Sequence, residues 1–275
     1  MPRVLLCCVL ALLWVAFPAQ GAGAPVATIR EGEVFLLRGA SRAPIVEGVR
    51  LHAHDIVRTG PGGFVRIETE GGDALDIGPA TLVRVGPQES DATRGTFLLT
   101  GWVKYTAGRA VAPADALLVT SRLAVSVLQG SIVVRSDGEA TAVFLERGSA
   151  RVEGRRGAMG PSQTLSEGGF AEAGEGGALR VSARPASAFM HEVPASFRDP
   201  LPLRFAKIAA REAPSLAPVA MRLEDVEPWL RAEPSVRDPL LRSWRSSATD
   251  PAVRAALARG TGNSPESSNT RKGER

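Results

Sequence analysis

Between residues 25 and 184, short runs of β-branched and apolar residues are broken at regular intervals by Gly, Pro and Asp, and this punctuation restricts the region to an all-β fold. Residues 64–69 set Val65, Ile67 and Thr69 against Arg66 and Glu68, and residues 81–85 repeat the alternation. A period of two gives each strand one apolar and one wet face. Further strands are expected at residues 117–120, 124–128, 131–135, 142–145, 150–153 and 170–173, punctuated by Gly130, Asp137-Gly138, Gly148 and Gly168-Gly169. Strands this short cannot bury a face alone, so they must close into a β-roll, a barrel or a two-sheet sandwich. The fold class is mainly β, with strand order left open.

The character changes after a joint near Arg184 and Pro185. Helices are expected over residues 203–212, 223–231 and 236–258, the last broken near Thr249. Asp250 ahead of Pro251 reads as an N-cap with proline in the first turn, and Gly260 stands where a left-handed cap would end the helix. Trp229 and Trp244 are the large side chains of this region and the candidate interface residues; the competing reading has them dock the helices on the β-body. Residues 261–275 carry no apolar side chain and are expected to be disordered.

At the other end, Arg3 precedes an apolar stretch over residues 4–17, followed by small residues up to Ala24. This is the pattern of a cleavable secretory signal, with Ala22-Gly23-Ala24 as the cleavage motif, the mature start at Pro25, and cleavage after Gly21 as the near alternative. The stretch is shorter than the roughly 20 residues a spanning helix needs, and Pro18 interrupts it. The division is therefore a signal peptide at 1–24, a β-domain at 25–184, a helical region at 185–260 and a tail at 261–275, with a periplasmic location. Cys7 and Cys8 are the only cysteines and leave with the signal, so neither disulfides nor thiolate metal sites are expected in the body. No second long apolar run exists, so no transmembrane segment is expected in the mature chain.

The net charge is +4, carried almost wholly by arginine, with acidic residues interspersed. A nucleic-acid surface needs clustering on one face, so this pattern reads as a solvated mixed-charge surface with no nucleic-acid partner.

Residues 47–60, with Leu51, Asp55, Ile56, Thr59 and Gly60, resemble the FecR-type periplasmic domain, which places a Leu, a Gly-Asp, an apolar residue and Thr-Gly in that order. Gly63 to Ile67 is similar to the strand after that turn, Gly71 to Ile77 to the family's Asp-Gly-Ser hairpin, and Gly78 to Val85 to its Pro-x-Ser-x-Leu strand. A looser likeness runs on to Gly174. Two departures fall at turns: His54 stands where glycine is common, and Gly72-Asp73 inverts the usual Asp-Gly. Asp55 is read as bonding nearby backbone amides, and Thr59-Gly60 with Gly62-Gly63 as a reversal at positive φ. Regulatory members of the family signal to a cytoplasmic sigma factor through a cytoplasmic segment and a membrane helix. Export from the first residue would leave neither, so the resemblance implies a periplasmic interaction module contacting an envelope protein or cell-wall polymer.

Catalytic chemistry finds little footing. His52 and His54 could hold a metal only with a third ligand, and His191 lies far off in sequence. Gly-x-Ser-x-Gly is absent, and the Gly-rich stretches at 60–63 and 174–177 lack the Lys and helix of a phosphate loop. Glu68, Glu70, Asp73 and Asp76 could supply a carboxylate pair, but strands place acids on any soluble sheet. No enzyme activity, metal or cofactor is expected. Mass spectrometry of the mature protein should find a start near Pro25; a chain still carrying Arg3 and Cys7 would instead be anchored.

Overall fold

The computed structural model describes residues 23–86, 95–108, 117–155, 162–174 and 178–259. The apolar leader, Gly260 and the tail at 261–275 lie outside the described residues. Fifteen strands are found among them: β1 (Val26–Glu31), β2 (Val34–Arg38), β3 (Ser41–Pro44), β4 (Ile56–Thr59), β5 (Phe64–Glu68), β6 (Ala74–Ile77), β7 (Leu82–Arg84), β8 (Thr96–Thr106), β9 (Leu117–Val119), β10 (Leu123–Ser136), β11 (Thr141–Gly154), β12 (Gln163–Ser166), β13 (Phe170–Ala173), β14 (Arg180–Ser182) and β15 (Val219–Ala220). Five helices follow or flank them: α1 (Ser187–Glu192), α2 (Phe205–Ala209), α3 (Leu223–Leu230), α4 (Pro234–Arg245) and α5 (Pro251–Arg259). The molecule is mainly β with a helical C-terminal part, as the punctuation and the late helical periods predict.

The strands form one sheet folded over on itself. The first layer runs β1, β5, β6, β8, β10, β11, β13, β14, and the second runs β15, β3, β2, β4, β7, β8, β9, β10, β11, β12. Strands β8, β10 and β11 are long enough to belong to both. Among the described residues, only the short β8–β9 pairing is parallel. Ala27, Val65, Ile77 and Val103 of the first layer meet Leu36, Val57, Val83 and Leu98 of the second in a single buried cluster. This is the sandwich geometry in which two inner faces interdigitate.

Gly130 and Gly148 correct the sequence reading, because they lie inside β10 and β11 rather than between strands. They face each other in register, with φ of 91° and 90°, at the place where both strands pass from one layer to the other. A Cβ on Gly130 would stand 1.9 Å from the Arg147 carbonyl oxygen, so two backbones approach here as only glycine permits.

Two further layers cover the outer faces. Residues 187–205 form a strap over the first layer, where Phe189, Val193 and Phe197 pack on Phe64, Val133 and Phe170. Helices α3 to α5 form a cap over the second layer, on Leu37, Ile56, Phe97 and Leu99. Strand β5 is consequently buried on both sides. Arg66 and Glu68, read from the alternation as a wet face, are 5% and 0% exposed beneath the strap.

The expected helix at 203–212 shortens to α2, α1 was not signalled by any periodic stripe, and strands β1 to β3 and β8 carry no clean alternation to mark them. The break near Thr249 is present between α4 and α5. Asp250 Oδ1 accepts the amides of Ala252 and Val253 at 2.8 and 3.1 Å, as an N-cap should. Gly130→Ala should cost more than about 4 kcal/mol or prevent folding, because clash is added to left-handed strain. Gly39→Ala, with φ of 58° and nothing within 4 Å of the added Cβ, should cost only about 1 kcal/mol. Urea unfolding of the two variants measures the difference.

Candidate functional site

The turn carrying Asp55 is built from the inside. Asp55 is 2% exposed, and its carboxylate takes a two-pronged bond from Arg38, Nε to Oδ1 at 2.8 Å and Nη2 to Oδ2 at 2.6 Å. Oδ2 also accepts the His52 amide at 2.7 Å. The hydrogen bond from Asp55 lifts the Arg38 guanidinium above its ordinary value against the opposing effect of burial. His54 adopts φ of 70°, a left-handed conformation that few side chains take and that glycine takes readily. Asp55 thus shapes a turn, and Arg38, 17 positions earlier on another strand, is the partner that local spacing could not reveal.

Thr59 and Gly60 continue the same framework. Thr59 Oγ1 donates to the Gly78 carbonyl at 2.6 Å and accepts the Thr81 amide at 2.8 Å. The Gly60 amide donates to the Glu33 carbonyl at 2.9 Å. Positive φ is not what these glycines supply: Gly60, Gly62 and Gly63 have ordinary φ, and a Cβ on Gly63 would stand 2.4 Å from the Glu33 oxygen. The turn itself is present, closed by the Gly63 amide on the Gly60 carbonyl at 2.9 Å, and it is close passage against the β1–β2 turn, not positive φ, that leaves no room for a side chain at Gly63.

Trp229 and Trp244 are 0% and 2% exposed, within the cluster that joins the cap to the sheet. Both rings are internal anchors. The face beneath them is a cross-strand row: Arg42, Leu37, Ile56, Arg84 and Phe97 stand in register across β3, β2, β4, β7 and β8. Arg58 lies on the same side, two residues along from Ile56. Three arginines therefore rise from an apolar sheet face, and the cap answers them with acids. Arg58 bonds Asp225 at 2.6 Å and Glu224 at 3.2 Å, and Arg42 reaches Glu224 at 3.3 Å. Burial pulls the Arg58 guanidinium down, and the two carboxylates more than offset it, leaving it raised. Arg58 in turn holds the Glu224 carboxyl below its usual range. Arg84 is lowered by burial, opposed by the charge of Glu233. Satisfaction is incomplete, since Arg42 Nε, Arg84 Nε and Trp229 Nε1 have no hydrogen-bond partner among the described residues, each a cost of about 1–3 kcal/mol.

On the opposite side, an open groove of about 940 Å³ runs between the strap and the first layer. Its strap wall is held by side chains bonding main chain. Lys104 Nζ donates to the Phe197 carbonyl at 2.6 Å and Arg66 Nη1 to that of Leu201 at 2.8 Å. Glu68 Oε2 accepts the amides of Arg204 and Phe205 at 2.7 and 2.6 Å. Arg147, Arg198, Asp199 and Leu203 edge the opening, and Leu203 is 60% exposed. Arg147, Arg198 and Leu203 are scattered in sequence and sit in no motif, so no local pattern marks them as one rim.

Of the four carboxylates weighed as a hydrolytic pair, Glu68, Asp73 and Asp76 are engaged otherwise, and Glu70 lines the groove with, among the described residues, only a 3.4 Å bond from the Gly23 amide. Asp76 forms a two-pronged pair with Arg66 at 2.6 and 2.8 Å, and Glu68 holds the strap. Asp73 Oδ1 accepts the Tyr105 hydroxyl and the Gly108 amide, each at 2.8 Å, tying the tip of the β5–β6 hairpin to the end of β8. Burial, with Asp73 beside it, pushes the Tyr105 hydroxyl far above its ordinary range. Among the described residues no three His, Cys, Asp or Glu side chains gather as a metal site, and no helix is long and apolar enough to cross a membrane.

A double-layered β-protein with a strap on one side and a helical cap on the other is the class these observations define. Two crystal structures of a putative anti-sigma factor from Parabacteroides distasonis ATCC 8503 are similar to part of it, each with a TM-score of 0.40, at 16% and 15% identity, over 49% of this chain and 62% of that chain. The chain thus spans less than two thirds of the length of those structures. No family model matches the chain, and no curated protein matches it.

Asp55→Ala leaves Arg38 Nε and the His52 amide without their acceptor, while Arg38 Nη2 keeps the Arg50 carbonyl at 2.9 Å. Because Arg38 is 38% exposed and water can reach it, the expected loss is about 2–3 kcal/mol rather than the full cost of a broken buried pair. Chemical denaturation should show it with the folded spectrum unchanged.

Proposed function

We propose that the protein is an exported, non-enzymatic module of the periplasm, of FecR-type character, that binds or scaffolds an envelope protein or cell-wall polymer. The leader pattern at 1–24 and the motif resemblance around Asp55, Thr59 and Gly60 support location and kind. The observation that carries the binding role is the groove under the strap. It is open, its rim presents Arg147, Arg198, Asp199 and Leu203 to solvent, and the polar groups behind the rim are already engaged in holding the strap. A rim of mixed charge with one large exposed apolar side chain suits recognition by contact, with a polar edge around an apolar anchor.

Contact through Trp229 and Trp244 has less support, since both rings face inward. Photocrosslinking in intact cells tests the groove. A crosslinker at Leu203 or Arg147 should capture a discrete envelope partner, or the mature protein should sediment with purified cell-wall polymer. A crosslinker at exposed Glu139, in the β10–β11 hairpin away from the groove, should capture nothing comparable. Equal capture at all three positions, with no sedimentation, would overturn the reading.

A further inference from the structure

The cap carries a core of its own. Of the fourteen buried side chains in its cluster, ten come from residues 221–257 and only Leu37, Ile56, Phe97 and Leu99 come from the sheet. Helices α3, α4 and α5 pack on one another through Trp229, Leu240, Leu241, Trp244, Val253 and Leu257, so much of their apolar surface stays covered if they move together.

Against the sheet, by contrast, the contact is rich in charge. Arg42, Arg58 and Arg84 from the sheet meet Glu224, Asp225 and Glu233 from the cap, and Arg155 Nη2 adds a 2.8 Å bond to Glu233. Of the four buried side-chain atoms without a partner among the described residues, two belong to the sheet side of this contact, Arg42 Nε and Arg84 Nε. Water would reach both on opening. Buried ion pairs are weak as net attraction, since desolvation opposes them, yet they fix one docked geometry. The linker leaves a place to bend as well: the extended stretch after α2 is held on the body by Pro214 beside Gly48, by Leu216 on the main core and by the two-residue strand β15 on the edge of β3, and the cap begins directly after β15.

We infer that α3 to α5 form a releasable lid, latched by Asp225 and Glu224 on Arg58 and Arg42, that lifts from the sheet as a unit while the two β-layers stay folded. Closed, the lid keeps the sheet face of Leu37, Ile56, Phe97 and Leu99, with Arg42 and Arg58 beside it, out of solvent. Subglobal opening of this kind belongs to segments whose docking is weaker than the body they rest on.

Native-state hydrogen exchange on the full chain reads the opening directly. The amides of Val226, Trp229, Leu240 and Leu241 should exchange through an opening that leaves β10 and β11 protected. Asp225→Asn should speed cap exchange by about a hundredfold or more, because a buried pair is broken from one side, with β10 and β11 unchanged. Glu224→Gln, at a half-exposed position, should act in the same direction by a smaller factor and serves if the first variant folds poorly. If cap and sheet amides share one opening rate in the wild type, or if the variants accelerate both alike, the cap is an inseparable part of the fold and the inference fails.

Discussion

A guanidinium leaves water at a high cost unless an oxygen or an opposing charge replaces it, and three are buried among the described residues: Arg42, Arg66 and Arg84 are each less than a tenth exposed. None can be answered from its own strand. Arg66 is met by Asp76 on the neighbouring strand and by a carbonyl of the strap, Arg42 by Glu224 of the cap, and Arg84 by the field of Glu233. The outer layers are thus fixed by charge as much as by apolar contact. Without the strap and the cap, the sheet would carry wet faces where its buried arginines now stand.

That dependence explains what was legible in the sequence and what was not. The alternation in residues 64–69 identifies a strand correctly and assigns its polar side to solvent, because period two reports only that two faces differ. It cannot report that a later segment returns to cover the polar one. Asp55 was readable as a turn residue since its amide partner is three positions away, whereas Arg38 is reached only after the chain has folded. Gly130 and Gly148 look like ordinary loop punctuation, and their actual place inside long strands follows from a pairing between residues far enough apart to escape any local rule. The helix breaks were legible for the opposite reason. Asp250 and Pro251 act on the backbone next to them, so their meaning is local.

The folded-over sheet has a further logic. Strands β8, β10 and β11 serve both layers, so the β-body cannot separate into two halves without breaking strands along their length. The cap and the strap hang on this continuous frame from opposite sides, one through an acid-to-arginine seam and the other through side chains bonding its backbone. A frame of that kind tolerates movement in its coverings better than movement between its layers.

The strap's manner of attachment bears on its history. Lys104, Arg66 and Glu68 grip carbonyls and amides of residues 197–205, and every residue type except proline presents those same groups. The side chains of Arg198, Asp199 and Leu203 are accordingly excused from holding the segment down. Related chains could change the chemistry along the rim of the groove, one residue at a time, and keep the same groove.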